Sequence, residues 1–406
     1  MKQENFWKTG FPDGLERHFT DFCRYLEAVN DGTLDLPGLL ASPYGEELGR
    51  RLALRCSLQQ DEKAAREYYY SLGLALEFHQ PEDYYGRWKF IYPLNAASDQ
   101  RYPLVIWNHG GGNSIESEEI MTGYVQLAAK AQYFLLLAQN TNPENILQII
   151  DKISTCHPID QSRIYVTGFS QGANQGHSLY THHPDRIAAA ALTCIDIFRP
   201  WDNFDNRYTE SELEKLRKSP VPLSLQVGAC EPFAYAPLNH WRPHRMHHTP
   251  PDQRGCPDDF EHPGKIDDLD PTRITEPGKG RYDPNNPRAA RMTSAYAPSE
   301  NENPQAWSIR RVNVRLDLLG CPILDEKRCM DYYFDQMDAF HHTVGIYGDV
   351  EETKYLYGVR HDMVQIYNHQ GLPVFQYVVT DNSPHWPPIT SAEIGWAFLK
   401  QFKKID

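Results

Sequence analysis

The chain has 406 residues, a formal net charge of −14, a charged fraction of 23% and 12% aromatic residues. That length can bury a large core in one or two domains, and the acidic balance argues against the Lys/Arg-rich surfaces that hold nucleic acid or anionic membranes. Eight cysteines, none in a CxxC pair, predict reduced and partly buried thiols in place of a disulfide framework.

The opening stretch "MKQENFWKTGFPDG" lacks the apolar core of a signal peptide, and no later run is long enough to span a bilayer. The expectation is a cytoplasmic protein. Residues 1–85 read as a helical extension that caps the main domain. In "GLERHFTDFCRYLEAV", Leu15, Phe19, Phe22 and Leu26 share one helical face, and "EELGRRLALRC" and "KAAREYYYSLGLAL" continue the pattern.

From residue 86 to 406 the pattern is that of a second unit. "GRWKFIYPL" alternates like an antiparallel edge strand, and "YPLVIWNHGGGN" is a buried strand running into three glycines. Next come helical "EEIMTGYVQLAAKA", the strand "YFLLLAQN", a helix opened by Pro143 and the strand "RIYVTGF". After "SQG" follow a helix, the strand "IAAAALTCI", the helix "ESELEKLRK" and the strand "PVPLSLQVGA". Strands alternating with helices of this length predict an α/β fold, a mostly parallel central sheet covered on both faces. Its functional residues are expected at the C-terminal strand ends.

The alternation stops over residues 233–322, a stretch rich in Pro, Asp, Asn and His that reads as a lid-like insertion. A single helix over "EKRCMDYYFDQMDAFHHTV" resumes the regular structure. The strands "KYLYGV", "DMVQIYN" and "PVFQYVVT", the loop "DNSPHWPPIT" and the helix "SAEIGWAFLKQFKK" complete the chain.

Acyl transfer needs a nucleophile, a base, a group that orients the base, and donors for an oxyanion. Ser170, in "GFSQG" between a strand and a helix, has the context of a nucleophile elbow. The Gln171 N–H behind it is one oxyanion donor. Gly111 in "HGGGN" is the second, with Gly110 and Gly112 able to share the role. His385, last in chain order in "SPHWPP", is the base. Glu231 in "LQVGACEP" is the preferred acid, and Asp196 in "LTCID" is the alternative. His109, Asn113, Phe233, Tyr235, Trp241 and Trp386 are candidates for lining the substrate pocket.

With these residues the chain resembles the α/β-hydrolase superfamily. Within it, it is similar to the esterases grouped with polyhydroxybutyrate depolymerases and with feruloyl and acetyl xylan esterases. "IDQSRIYVTGFSQGA" carries the likeness at the nucleophile and "SPHWPP" at the histidine, over residues 86–232 and 350–406. Glu231 stands where that group usually has Asp. The resemblance implies a serine hydrolase acting on a small or medium-sized carboxylic ester, with no metal and no cofactor. A small-molecule ester is then the partner, without nucleic acid or membrane; whether the chain forms a homo-oligomer is left open. Three other readings stay open: a small serine peptidase or amidase, a non-catalytic ligand binder, and a metal site at His240, His244, His247 and His248.

Overall fold

Helices come first because their apolar residues recur at helical spacing. α1 (Glu16–Ala28) buries Phe22 and Leu26, and α2 (Leu36–Ala41) starts where the Asp35 carboxylate accepts the Gly38 N–H. α3 (Pro43–Gln60) buries Leu48, Leu52 and Cys56, and α4 (Glu62–Ser71) buries Ala65 and Tyr69. The computed structural model describes residues 16–28, 34–60, 62–111, 113–195, 208–231, 304–334 and 338–404.

The sheet begins inside the expected helical extension, with β1 (Leu74–His79) paired antiparallel to β2 (Trp88–Pro93). The apolar residues of "LALEFH" follow directly on those of the preceding helix, which hides the strand in the sequence. Its partner β2 is therefore one place in from the edge. Then follow β3 (Tyr102–Asn108), α5 (Ile115–Glu118), α6 (Tyr124–Ala131), β4 (Phe134–Ala138), α7 (Pro143–Ser154) and β5 (Ile159–Phe169). The helix expected across "EEIMTGYVQLAAKA" is broken at Gly123, whose φ of 86° starts α6 afresh. α8 (Gln171–His182), β6 (Ala189–Thr193), α9 (Glu210–Lys218) and β7 (Leu223–Gly228) continue the alternation.

Within the expected insertion, residues 233–303 lie outside the described residues, but 304–322 do not behave as a lid. α10 (Pro304–Leu318) buries Ile309, Val312 and Leu316 in the main core. Its apolar period was hidden beside a long polar stretch. α11 (Glu326–Phe334) and α12 (Ala339–Val344) replace the single helix expected there. β8 (Val350–Leu356), β9 (Val359–Ile366), β10 (Phe375–Thr380) and α13 (Ser391–Leu399) close the chain.

These strands form one ten-stranded sheet in the order β1-β2-β4-β3-β5-β6-β7-β10-β9-β8. β4, β3, β5, β6, β7 and β10 run parallel, with antiparallel pairs at both edges. This is the α/β-hydrolase fold, extended beyond its last parallel strand by the β8–β9 hairpin. Both faces are covered, so the central strands are apolar throughout. Leu104 and Ile106 pack on one face with Ile146 and Ile150 of α7, while Val105 and Trp107 pack on the other with Tyr124 of α6 and Phe398 of α13. Among the described residues no helix is long and apolar enough to cross a membrane.

The N-terminal helices are bound to this sheet by a buried arginine. Arg51 of α3 donates from Nη1 to the carbonyls of Met121 (2.9 Å) and Ile389 (2.8 Å), while its Nε reaches Glu47 at 2.6 Å. Arg51→Ala strips two buried carbonyls and a carboxylate of their donor. It is expected to cost about 2–4 kcal/mol, read as a lower urea midpoint with an unchanged slope.

Candidate active site

The chain turns most sharply at Ser170. It leaves β5, takes φ 52° and ψ −116°, and enters α8 directly. A non-glycine residue with positive φ costs of order 1–3 kcal/mol and persists only where its surroundings enforce it. Here the enforcement is contact: a Cβ on Gly172 would lie 2.2 Å from the Asn108 carbonyl oxygen and 2.4 Å from that of His109. α8 therefore starts hard against the end of β3, and Ser170 stands out over the sheet.

Two further loops converge on it. The Ala229 N–H donates to Thr380 O (2.8 Å), and the Cys230 N–H donates to Ser383 O (2.9 Å). These backbone bonds tie the turn after β7 to the turn after β10. Gly228 packs so closely on the second turn that a Cβ there would fall 2.0 Å from Ser383 O. Zipped together, the two turns present Glu231 and His385 to each other. His385 Nδ1 lies 2.6 Å from Glu231 Oε1, and His385 Nε2 lies 2.9 Å from Ser170 Oγ. The carboxylate is acceptor-only, so Nδ1 carries the proton and Nε2 presents a lone pair to the hydroxyl. Glu231 is 1% exposed and His385 5%, whereas Ser170 is only half-buried.

The loop after β3 forms the other wall. Gly111 is exposed beside Gln171, and a Cβ on it would meet Gln171 Oε1 at 2.8 Å. The Gln171 N–H opens α8, where the unpaired amides and the helix dipole favour an anion. Gly110 is buried against the Phe169 ring, and that ring packs 4.8 Å from the His385 ring. His109 and Asn113 are half-buried and bonded within this loop. Ser170, His385, Glu231, Gln171 and Gly111 thus come together. Asp196, Gly112, Phe233, Tyr235, Trp241, His240, His244, His247 and His248 lie outside the described residues.

Trp386 is not where a pocket-lining role would put it. Its indole is 7% exposed and packs edge-on against Phe22 (4.9 Å) and Tyr25 (5.6 Å) of α1. The N-terminal helices supply the aromatic wall that draws it inward.

Cys194 is a neighbour that sequence reasoning missed. It ends β6 with φ 52°, and its Sγ lies within 4.8 Å of both a Glu231 oxygen and a His385 ring nitrogen. Burial, and next the Glu231 carboxylate, push its thiol well above the usual ionisation range. These three groups could hold a metal only by deprotonating that thiol and breaking the Glu231–His385 bond. The chemistry they suit is proton transfer. No pattern in "ALTCID" separates this cysteine from a core residue.

No protein-family profile and no curated protein matches this sequence. Solved structures similar to part of it include a thermostable esterase, at 20% identity and TM-score 0.29 over 38% of this chain and 46% of that one. The feruloyl esterase module from Clostridium thermocellum is similar at 12% identity and TM-score 0.31, over 39% and 68% of the two chains. The fluorophosphonate-binding serine hydrolase F of Staphylococcus aureus is similar at 12% and 0.32, over 38% and 79%. The match spans less than half of the thermostable esterase. The fold is assigned from strand order and the elbow, not from these scores.

Behind the His385 turn lies a buried titratable group, His361 of β9, with its Nδ1 3.0 Å from the Thr380 hydroxyl. Burial pushes its imidazole down to about 4. The unfolded chain therefore binds more protons than the folded one between about pH 6.5 and 4. The stability that the neutral ring contributes is complete above the unfolded value and is lost as the pH falls through this window, by at most ~3 kcal/mol. Between pH 7 and pH 5, wild type is expected to lose more of its urea midpoint than His361→Asn, which has nothing to protonate there.

Proposed function

We propose that this protein is a serine esterase that cleaves small or medium-sized carboxylic esters through an acyl-enzyme. The observation that carries the reading is the unbroken relay from Ser170 Oγ through the His385 ring to Glu231, with the serine held on a strained elbow.

In this reading His385 Nε2 takes the proton of Ser170 as Oγ attacks the ester carbonyl. Glu231 fixes the ring by accepting Nδ1–H and stabilises the imidazolium as it forms. The carbonyl oxygen becomes an oxyanion between the N–H groups of Gly111 and Gln171. Such donors, preorganised where charge develops, are commonly worth several kcal/mol of barrier each. The imidazolium then returns its proton from Nε2 to the departing alcohol, leaving an ester between the acyl group and Ser170. Water, deprotonated by the same nitrogen, attacks this ester and releases the acid. Every proton passes through one atom, and no cofactor is required.

Ser170→Ala is expected to abolish both p-nitrophenyl acetate hydrolysis and fluorophosphonate labelling while the protein stays folded by circular dichroism. Retained labelling at another serine would overturn the assignment. Glu231→Gln should lower kcat on the order of 10³–10⁴-fold, as loss of a triad carboxylate does, and Asp196→Asn should stay close to wild type. The reverse ranking would transfer the orienting role to Asp196. Faster turnover of aminoacyl anilides than of esters by wild type would make it a peptidase.

A further inference from the structure

We propose that the cleft at the N-terminal ends of β6, β7 and β10 binds a small organic anion, a carboxylate or a phosphate ester carried on a compact apolar body. This inference stands apart from the esterase reading, because the cleft lies at the end of the sheet away from Ser170.

Its place in the fold comes first. Ala188, Pro222 and Val374 line the cleft, and each is the residue before its strand, whereas Cys194, Glu231 and His385 lie beyond the other ends of the same three strands. The six residues of β7, at about 3.3 Å each, put roughly 20 Å between the two ends. A molecule in the cleft is therefore out of reach of the Ser170 hydroxyl. The cleft has a volume of about 630 Å³, within the range of small-molecule sites.

The charge of the cleft runs against that of the chain. In a protein of net charge −14, Arg217, Lys218, Lys403 and Lys404 all line it, and Asp317 is the one carboxylate among its described lining residues. Lys218 is already paired, with its Nζ 2.6 Å from Glu214 Oε1. Arg217, Lys403 and Lys404 form no ion pair among the described residues. Arg217 and Lys218 belong to the last turn of α9, where the helix carbonyls attract cations. Lys403 and Lys404 come from elsewhere, on the irregular stretch that follows α13.

Lys404 is the group that most needs an anion. Its backbone N–H donates to Ser162 O at 2.8 Å, and its Nζ donates to Ser219 Oγ at 2.8 Å and to Pro220 O at 3.4 Å. Both side-chain acceptors are neutral, and the third ammonium proton has no acceptor among the described residues. The exposed Asp185 carboxylate favours the charged form, but burial outweighs it and brings the ammonium down to about 8. At neutral pH the amine is still mostly charged, and its lost hydration is poorly compensated. An anion in the cleft would restore that compensation.

The rest of the lining selects what carries the anion. Leu318, Leu319, Leu372 and Phe402 form an apolar wall, of which Leu372 is 48% exposed. An inorganic ion would leave this wall in water, whereas a body the size of one ring would cover it.

The probes are 4-phenylbutyrate and phenyl phosphate, titrated by NMR against the full chain, with 4-phenylbutyramide and inorganic phosphate as controls. The organic anions are expected to bind with a Kd of about 1 mM or tighter, and the tighter of the two identifies the preferred head group. The amide lacks the charge and inorganic phosphate lacks the apolar body, so each should bind at least about 10-fold more weakly. Saturating 4-phenylbutyrate should also slow acetylation of Lys404 by an N-hydroxysuccinimide ester, read by mass spectrometry, and leave the exposed Lys130 of α6 unaffected. Lys404→Met should raise the Kd about 10-fold and Lys404→Arg only about twofold, since the second keeps the charge. Arg217→Met, at an exposed position, should raise it about threefold and keeps the test readable if Lys404→Met does not fold.

A Lys404 that only ties its segment to the loop before β7 would lower the urea midpoint of Lys404→Met and leave both affinities unchanged; that result overturns the proposal. So do equal binding of the amide or of inorganic phosphate, unprotected Lys404 acetylation, and absence of binding by both organic anions at about 10 mM. Failure of the esterase reading shows elsewhere, as hydrolysis that survives Ser170→Ala, and leaves these measurements untouched.

Discussion

The site depends on how closely the backbone of α8 approaches the end of β3. With the Gly172 Cα in contact with the Asn108 and His109 carbonyls, any side chain there would drive the helix away from the sheet. That contact holds Ser170 at φ 52°, and α8 begins at the next residue, Gln171. It also brings Ser170 beside the glycine loop, since the loop continues from the carbonyls that Gly172 touches. One steric constraint thus fixes Ser170 and the start of α8, and it sets their distance from the glycine loop.

The remaining groups are placed by backbone hydrogen bonds more than by their own side chains. Glu231 and His385 are distant in sequence, yet their turns are joined through the Ala229 and Cys230 amides. The N-terminal helices extend this frame: Arg51 bonds the carbonyl of Ile389 shortly after His385, and the Tyr44 hydroxyl accepts the N–H of the same residue at 3.0 Å. Trp386, next to His385, is enclosed by Phe22 and Tyr25. Residues of the N-terminal helices thereby brace the turn that carries His385.

Much of this was legible in the sequence, for identifiable reasons. The central strands read as strands because burial on both faces leaves them continuously apolar, as in "YPLVIWN" and "RIYVTGF". "GFSQG" and "HGGGN" were legible because close backbone approach admits almost nothing but glycine. What was missed lacked such a signature. β1 follows an aromatic helix and shares its apolar composition, and α10 has a helical period but lies beside a stretch without one. The inward turn of Trp386 depends on a partner helix remote in the chain.

The choice of acid illustrates the electrostatic logic. A carboxylate that is 1% exposed is costly to bury, and among the described residues Glu231 offsets that cost through His385 and Cys194. Oε1 accepts from His385, and the neighbouring Cys194 thiol, held protonated by burial, is a weak donor to the same carboxylate. In the proposed mechanism the contact with Glu231 strengthens as His385 takes the proton of Ser170, because a buried ion pair then replaces a contact between a charge and a neutral ring. Interactions that strengthen only as the transition state forms are the ones that raise turnover. The His385 contact on Oε1 and the protonated Cys194 thiol beside the carboxylate thus fit the role proposed for Glu231, to orient the ring and to stabilise it as it takes up a proton.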